Sequence, residues 1–378
     1  MSDRARSAIR SIVLVDAEVE GDRRVAHSIA SAPAPVLVLD LRTADEAPTL
    51  MLLWDSWRAA ALLGTSLRGA LARHQQLAPW LEPQGGWGAG LLGCWRWTRR
   101  ALTTSRRLER ELTENHVELV YANDLAAGLV LALIQCRPGL RRVYDSHELQ
   151  IHRHRRAGWL RILIEQAQER SVLKVAQDIV TVNPAVARAM FRIHPGLPSP
   201  PRTVLNDFYA HRDVAIPPAD ATPALLYVGG GTRGRRIERL FGTPEQMGFE
   251  VHGWLLGGVP PDSLRGRFHR SDGHYEQELL AIMQERRCLM WCGLETQALN
   301  NRLATPNKFF QAMALGLPIV ASPGTYLAEL VQRHGIGAID QGELRDIARE
   351  VASERYVRWV QSVVRFRQAL RHKPESVL

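Results

Sequence analysis

The chain has 378 residues, of which 46% are hydrophobic and 23% are charged, and its formal net charge is +9. These fractions are those of a globular protein, and the length suits two domains of about 150 to 200 residues each. The four cysteines form no CxxC pair and have no histidine at zinc spacing, which argues against a disulfide framework and a structural zinc site. No apolar stretch approaches the roughly 20 residues that a membrane-spanning helix needs.

The positive charge points to an acidic partner, which could be a nucleotide, a phospholipid surface or a nucleic acid. The 48 basic residues are mostly scattered arginines, so the charge alone does not separate these partners. Because the cysteines are expected to stay reduced and no segment is long enough to span a membrane, we expect a cytoplasmic protein. Any membrane contact would then be peripheral, on the inner face of the membrane.

Short apolar runs alternate with segments of helical period along most of the chain, which is typical of parallel α/β sheets. In the first half the predicted strands are 11–15, 36–39, 119–121, 142–144, 179–182 and 203–205. In the second half they are 225–228, 250–256, 288–291 and 319–321. The pattern predicts two doubly wound Rossmann-like domains with a cleft between them, and ligands of such sheets bind beyond the carboxyl ends of the strands.

Breaks in this pattern give the predicted domain boundaries. They are an N-terminal domain at 1–208, a proline-rich linker at 209–223, a C-terminal domain at 224–345 and a helical tail at 346–378. A helical insertion at about 50–115 contains six of the ten tryptophans, among them Trp95 and Trp97 beside arginines. This composition is typical of an element at a membrane interface, and packing of the insertion against its own domain is the alternative.

Polar residues follow two predicted strands of the first half. Asp22 and Arg23 come between the first strand and the helix after it, and Asp145, His147 and Glu148 directly follow the fourth strand. Both groups are therefore expected at the edge of the sheet that faces the cleft. The alternatives are ordinary solvated charges at the first position, and a helix cap and a structural histidine at the second.

A glycine loop follows the first strand of the second half. Gly229, Gly231 and Gly234 satisfy the GxGxxG spacing of a dinucleotide-binding loop. That loop requires an acidic residue at the end of the next strand, whereas Glu250 lies at the beginning of it. The spacing alone therefore supports a nicotinamide-dependent oxidoreductase only weakly.

The same loop contains Arg233, Arg235 and Arg236. A pyrophosphate that backbone amides already hold does not need so many cations. Several arginines suit a terminal, departing diphosphate, whose growing charge has to be neutralised. A solvated basic turn is the alternative.

A capped helix near the end of the second domain contains a lysine in an unusual place. Thr305 is the predicted N-cap, Pro306 the first helical residue, and Gly316 with Pro318 the end of the helix. Lys308 then lies in the first turn, where a positive charge opposes the helix dipole by up to about 1 kcal/mol. An anion such as a diphosphate at the helix N-terminus would remove this cost, and a lysine that points into water is the alternative.

Together these segments resemble the retaining, nucleotide-sugar-dependent glycosyltransferases of the GT-B fold, in the large family that includes sucrose- and glycogen-synthase-like enzymes and many bacterial polysaccharide enzymes. The matching segments of the first half are Asp22–Val25 (D-x-R-V), Tyr144–Glu148 (Y-D-x-H-E) and Glu169–Arg170 with Asp178–Asn183. Those of the second half are Tyr227–Gly229 with Gly234–Arg235 (V-G-x-x-x-G-R) and Asn301 with Pro306–Ser322 (N-x-x-x-x-P-N-K-x-x-E-x-M-A-x-G-x-P-V-V-A-S). The last segment is the most specific.

The resemblance implies roles for individual residues. Arg235 and Lys308 would hold the donor diphosphate, and His147 would approach the transferred sugar, so these three are the predicted catalytic residues. The remaining predicted donor-binding residues are Gly230, Gly231, Arg233, Arg236, Asn307, Gln311 and Glu329. The predicted acceptor-side residues are Asp22, Arg23 and Glu148.

The chain departs from the family pattern at two positions. Gln311 stands where the family usually has a glutamate that binds the ribose, and Leu303 stands where a second glutamate is common. Glu329, in the segment after the last predicted strand, is expected to compensate in part. A non-catalytic GT-B subunit that acts as an interaction partner is therefore the second functional hypothesis.

The resemblance implies transfer with retention of configuration from a nucleoside-diphosphate sugar, with no metal and no other cofactor. The sequence contains no Asp-x-Asp motif, which agrees with a metal-independent reaction. Synthesis of a cell-surface polysaccharide, a glycolipid or another glycoconjugate, a lipid-linked acceptor and peripheral contact with an anionic membrane are further hypotheses. A nucleic acid partner is not expected, because no motif supports one.

Overall fold

The computed structural model describes residues 9–16, 23–41, 91–150, 159–197, 201–203, 211–212, 215–230, 234–256, 267–271 and 275–372. The chain divides into two compact units, Met1–Val204 and Leu205–Leu378. Within the described ranges, no helix is long and apolar enough to cross a membrane. The side chains of Trp95 and Trp97 and the other tryptophans of the predicted insertion lie outside the described part of the chain.

The N-terminal unit is built on a parallel sheet with the strand order β2-β1-β3-β4-β5-β6. Its strands are β1 Ser11–Val15, β2 Val36–Asp40, β3 Leu119–Asn123, β4 Arg141–Ser146, β5 Asp178–Thr181 and β6 Arg202–Thr203. Its described helices are α1 Arg23–Ser31, α2 Leu91–Glu114, α3 Asp124–Leu133, α4 Trp159–Val175 and α5 Pro184–Ile193. The order changes direction between β1 and β3, so the carboxyl ends of β1, β3 and β4 border the point where such sheets bind ligands.

The C-terminal unit is built on a second parallel sheet, with the strand order β12-β11-β10-β7-β8-β9. Its strands are β7 Pro223–Gly229, β8 Glu250–Leu256, β9 Phe268–Ser271, β10 Arg287–Cys292, β11 Ile319–Ala321 and β12 Gly337–Ile339. Its described α-helices are α6 Pro244–Met247, α7 Glu276–Glu285, α8 Leu299–Leu303, α9 Asn307–Ala314, α10 Tyr326–His334, α11 Leu344–Val351 and α12 Glu354–His372. This is the doubly wound Rossmann order, in which the switch point lies between β7 and β10.

The predicted α/β class, with two Rossmann-like parallel sheets, is confirmed. All ten predicted strands occur, although the prediction had no counterpart for β9 and β12. Both of these strands lie at the edges of the second sheet. The predicted helix around Lys308 also occurs, and it starts one residue later than predicted.

The core of the C-terminal unit includes the residues that support its switch point. Tyr227 of β7 and Trp291 of β10 are fully buried and belong to one hydrophobic cluster. Val351 of α11 and Tyr356 and Trp359 of α12 belong to the same cluster. The helical tail therefore packs into this core and stabilises the two strands whose ends form the site.

Gly337 is a position where the second sheet requires glycine. Its φ is +149°, and a Cβ atom placed there would lie 2.0 Å from the carbonyl oxygen of Ile319 on the neighbouring strand β11. We expect Gly337→Ala to lower the free energy of unfolding by about 3 kcal/mol or more, because the added methyl group forces β11 and β12 apart. Urea unfolding followed by circular dichroism measures this loss.

Gly342→Ala is the matched control, because Gly342 has a φ of +126° but no atom within 4 Å of an added Cβ. Its cost is expected to be limited to backbone strain, about 1 to 2 kcal/mol. Equal losses for the two variants would show that the close approach of β11 and β12 has no energetic weight.

Candidate functional site

The candidate site of the C-terminal unit lies at the carboxyl ends of β7, β10 and β11, next to the switch point of the sheet. Gly229 and Gly230 stand at the end of β7, Leu294 follows β10, and Ser322 follows β11. The hydroxyl of Tyr227 donates a hydrogen bond of 2.7 Å to the carbonyl oxygen of Gly230, which fixes the start of the glycine loop. Gly231 and Arg233 lie outside the described residues.

Lys308 is buried at this site. Its side chain is 6% exposed, which excludes the alternative of a solvated lysine. The Nζ atom lies 4.2 Å from the centroid of the Tyr227 ring and has no hydrogen-bond partner among the described residues. Burial lowers the pKa of Lys308 to about 7; the Cys292 thiol opposes this change, and the positive charge of Arg235 adds to it.

Arg235 is the second cation of the site. It is half-buried, and its guanidinium makes no hydrogen bond or ion pair with the described part of the chain. Its main chain is fixed, because the indole Nε1 of Trp291 donates to the Arg235 carbonyl at 3.2 Å. Arg235 acts electrostatically on Lys308 and Cys292, so the two cations share one neighbourhood with no described anion to neutralise them.

Arg236 differs from its neighbour because its guanidinium has partners within the fold. It donates to the hydroxyl of Ser322 at 3.0 Å and forms an ion pair of 3.2 Å with Asp340. Its φ is +50°, in the left-handed region that few residues other than glycine adopt. The structure thus gives the two neighbouring arginines different environments, which their spacing in the sequence does not show.

The helix that presents Lys308 starts one residue later than the sequence predicts. The N-cap is Pro306, not Thr305, and Asn307 is the first helical residue. Pro306 has an extended backbone, with ψ at 156°, and its carbonyl accepts the first turn's hydrogen bond from the Phe309 amide at 2.8 Å. Lys308 therefore still lies in the first turn, and the exposed Asn307 precedes it.

Gln311 lies on the same helix and is also buried. Its side-chain amide donates a hydrogen bond of 3.0 Å to the hydroxyl of Tyr275. The ring of Tyr275 packs on Trp254 with 5.9 Å between centroids. Of the other predicted positions, Glu329 is exposed in the first turn of α10, and Leu303 ends α8.

The N-terminal unit brings a second polar group together at the ends of β3 and β4. The backbone amide of His147 donates to Oδ1 of Asp124 at 3.0 Å. The His147 imidazole, 15% exposed, has Nε2 at 3.2 Å from Oδ1 of Asn123 and Nδ1 at 3.5 Å from Oδ2 of Asp124. Glu148 is half-buried, and its carbonyl oxygen accepts from the Ser146 hydroxyl at 2.7 Å.

A buried ion pair supports this group. Arg24 of α1 pairs with Asp145, and the hydroxyl of Tyr121 donates to the same carboxylate at 2.7 Å. Burial, the largest influence, would raise the pKa of Asp145, but the charges of Arg24 and His147 and the hydrogen bonds from Arg24 and Tyr121 together outweigh it and hold the pKa below its usual range. Asp145 is therefore not a helix cap. Asp22 and the side chain of Arg23 lie outside the described part of the chain.

Sequence reasoning did not find Arg24, Asp340 or Ser322 as parts of the two sites. Arg24 is the arginine of the D-x-R-V match at Asp22–Val25, and this match was the available signal. Asp340 directly follows β12, the edge strand that the sequence did not predict. A correct prediction of that strand would have placed Asp340 at the carboxyl edge of the sheet.

The dinucleotide-binding alternative requires an acidic residue at the carboxyl end of β8. Glu250 instead begins β8, and its carboxylate accepts from Arg286 Nε at 3.1 Å. It therefore lies at the opposite edge of the sheet from the glycine loop. Among the described residues, no group of three or more His, Cys, Asp and Glu side chains is placed to hold a metal ion.

The chain matches no protein-family model and no curated protein sequence. It is similar to solved structures that include a sucrose-phosphate synthase from Thermosynechococcus elongatus, at 16% identity and a TM-score of 0.47, covering 74% of this chain and 79% of that chain. The apo form of the lipopolysaccharide outer core galactosyltransferase WaaB aligns at 14% identity and a TM-score of 0.49, covering 74% and 81%. The glycosyltransferase SnogD from Streptomyces nogalater aligns at 14% identity and a TM-score of 0.46, covering 96% and 95%.

Proposed function

We propose that this chain is a glycosyltransferase that binds a nucleoside-diphosphate sugar and transfers the sugar to an acceptor. The observation that supports this function best is the ammonium group of Lys308, which is buried at the switch point with no hydrogen-bond partner among the described residues. Burying a charge without a partner costs on the order of several kcal/mol. A diphosphate bound at the start of α9 would supply that partner.

The choice of a lysine at this position supports the proposal. Only three of the 48 basic residues are lysines, and Lys308 is one of them. A guanidinium stays charged wherever it is placed, whereas a buried ammonium can lose its proton when no anion is bound. The ligand-free protein can therefore tolerate Lys308 at this position better than it would tolerate an arginine.

Lys308, Arg235 and the N-terminal amides of α9 would share the charge of the diphosphate. In the proposed reaction the bond between the anomeric carbon and the phosphate oxygen breaks, and its electron pair goes to the phosphate. The acceptor oxygen bonds to the anomeric carbon, and its proton passes to the leaving phosphate. The two cations and the helix terminus stabilise the growing negative charge, which is the main requirement of this step.

The role of His147 of the N-terminal unit, contact with the transferred sugar, is a part of the proposal that rests on the sequence resemblance. The His147 imidazole is partly exposed, and Asn123 and Asp124 fix its position. The Arg24–Asp145 ion pair supports the adjacent end of β4. Retention of configuration, independence of metal and a role in glycoconjugate synthesis are parts of the proposal that rest on the sequence resemblance.

Arg235→Ala tests the donor site. We expect this variant to bind nucleoside diphosphates about 10- to 100-fold more weakly, because it loses a charge-assisted contact worth about 1.5 to 3 kcal/mol. A panel of nucleoside diphosphates, with NAD as the comparison ligand, would be measured by thermal shift and isothermal titration calorimetry. Hydrolysis or transfer of a donor sugar by the isolated chain would then separate an enzyme from a binding-only subunit.

Arg358→Ala is the control, because Arg358 is an exposed arginine of α12 in the same unit. It removes the same formal charge and is expected to bind like the wild type. A wild-type chain that binds none of the nucleoside diphosphates, or an Arg235→Ala variant that binds them with unchanged affinity, would refute the proposed donor site.

A further inference from the structure

The segment Gly234–Arg236 of the glycine loop is fixed at its backbone. The amide of Glu295, in the loop after β10, donates to the Gly234 carbonyl at 2.9 Å. The indole of Trp291 donates to the Arg235 carbonyl at 3.2 Å. Two consecutive carbonyl groups are thus tied to β10 and to the loop that follows it.

The side chain of Arg236 provides a third attachment. Its guanidinium donates to Oγ of Ser322 at 3.0 Å, and the same Oγ accepts from the amide of Leu294 at 3.0 Å. The guanidinium also pairs with Oδ2 of Asp340 at 3.2 Å. Arg236 therefore links the loop after β7 to the residues that follow β10, β11 and β12.

Asp340 is the centre of this arrangement. Its side chain is fully buried, and its carboxylate accepts from Arg239 Nη2 at 3.0 Å and from the amide of Gly342 at 3.2 Å, besides pairing with Arg236. A buried carboxylate with this many donors is rigidly placed. It is suited to hold Arg236 in its left-handed conformation, which an arginine does not adopt without support.

We propose that Asp340 is a positioning residue of the donor site, acting through Arg236 to aim the guanidinium of Arg235. This inference rests on the proposed function, because Arg235 is the residue that would contact the diphosphate. The carbonyl group of Arg235 is fixed by its hydrogen bond from Trp291, and the next residue, Arg236, is fixed by its ion pair with Asp340. The direction in which the Arg235 side chain leaves the backbone is therefore set jointly by Trp291, which holds the Arg235 carbonyl, and by Asp340, which holds Arg236. Arg236 serves the site without touching the ligand.

The direction in which one substitution changes the affinity for the diphosphate separates this role from direct contact between Arg236 and the diphosphate. Asp340→Asn removes a negative charge near an anion site, so electrostatics alone would strengthen the binding of an anion. If Arg236 were itself a ligand contact, releasing it from Asp340 would act in the same direction. The positioning role predicts the opposite, because Arg235 loses its orientation.

The experiment is a double-mutant cycle, read as the affinity for the nucleoside diphosphate that the wild type binds best in a titration of the panel. Asp340→Asn is expected to weaken binding about five- to tenfold in the wild-type background and less than about twofold in the Arg235→Ala background. Asp346→Asn, which removes an exposed carboxylate of α11, is the charge control and is expected to leave affinity unchanged. Equal losses in both backgrounds, or tighter binding by Asp340→Asn, would overturn the inference.

Ser322→Ala covers the case in which Asp340→Asn does not fold, because it removes the other acceptor of Arg236 and leaves the buried carboxylate in place. It is expected to weaken binding at least about twofold, again only when Arg235 is present. Unchanged affinity in Ser322→Ala would contradict the positioning role. A wild-type chain that binds no nucleoside diphosphate would instead contradict the proposed function, so the two failures are distinguishable.

Discussion

Replacing Lys308 with methionine is expected to stabilise the ligand-free protein and at the same time to weaken its binding of nucleoside diphosphates strongly. The folded state lowers the pKa of Lys308 from 10.5 to about 7, and a pKa difference of one corresponds to about 1.4 kcal/mol. Methionine fills a similar volume without a charge to bury, so the free energy of unfolding at pH 7 should rise by about 2 to 4 kcal/mol. The ligand loses one of its two cations.

Urea unfolding and calorimetric titration measure the two effects on the same sample. Lys174→Met is the matched control, because Lys174 is an exposed lysine at the end of α4, and it should change neither quantity. If Lys308→Met is less stable than the wild type, the buried ammonium group does not destabilise the folded protein. A bound anion would then not be the partner that Lys308 lacks.

The affinity for nucleoside diphosphates is expected to fall about tenfold for each pH unit above 7, down to a level set by Arg235 and the helix terminus. Lys308 has a pKa of about 7 in the free protein, so it is largely neutral at pH 8 to 9. A bound diphosphate favours the charged form and raises the pKa, so binding takes up a proton in this range. Of the other groups beside Lys308, Arg235 is the second cation, and burial raises the pKa of Cys292 to about 12 and that of Tyr227 to about 12, which keeps both neutral.

Calorimetric titrations at pH 8.5 in buffers of different ionisation enthalpy should show uptake of nearly one proton per diphosphate bound. The Lys308→Met variant should show weak binding that does not depend on pH in this range. Affinity that is constant from pH 7 to 9 in the wild type would contradict the assignment.

In the free protein the lowered pKa of Lys308 affects the free energy of unfolding in the opposite direction. The unfolded chain binds more protons than the folded chain between pH 7 and 10.5, so the contribution of Lys308 to stability rises with pH across that window.

The fold could be predicted wherever the sequence carries buried apolar runs. β1 and β8 were predicted with their observed bounds. β1 is fully buried and, after Ser11, is a continuous run of Ile, Val and Leu, which is typical of strands in parallel sheets. β12 escaped prediction because Gly337–Ile339 is three residues long, begins with glycine and lies at a sheet edge. The helix that contains Lys308 was predicted to begin at Pro306 but begins at Asn307. The difference arises because a local cap signal does not decide which backbone carbonyl accepts the first hydrogen bond of the helix.

The candidate site could be predicted only in part, because several of its contacts join residues that are far apart in the sequence. Lys308 and Arg235 could be found because a cation in a first helical turn and arginines beside a glycine loop are local anomalies. The Tyr227 ring that covers Lys308 lies 81 positions earlier in the chain, and Asp340 reaches Arg236 across 104 positions. No local pattern encodes such pairs, because they are produced by strand order.

The ring of Tyr227 has a consequence for turnover in the proposed reaction. In the free protein the ring contacts the ammonium group of Lys308 from one side, and its hydroxyl is hydrogen-bonded to the carbonyl oxygen of Gly230. The ring is therefore an internal competitor of the donor, since both attract the same cation. Donor affinity then depends on how much more strongly the diphosphate attracts the ammonium group of Lys308 than the Tyr227 ring does. When the nucleoside diphosphate product leaves, the ring is in place to contact the lysine again.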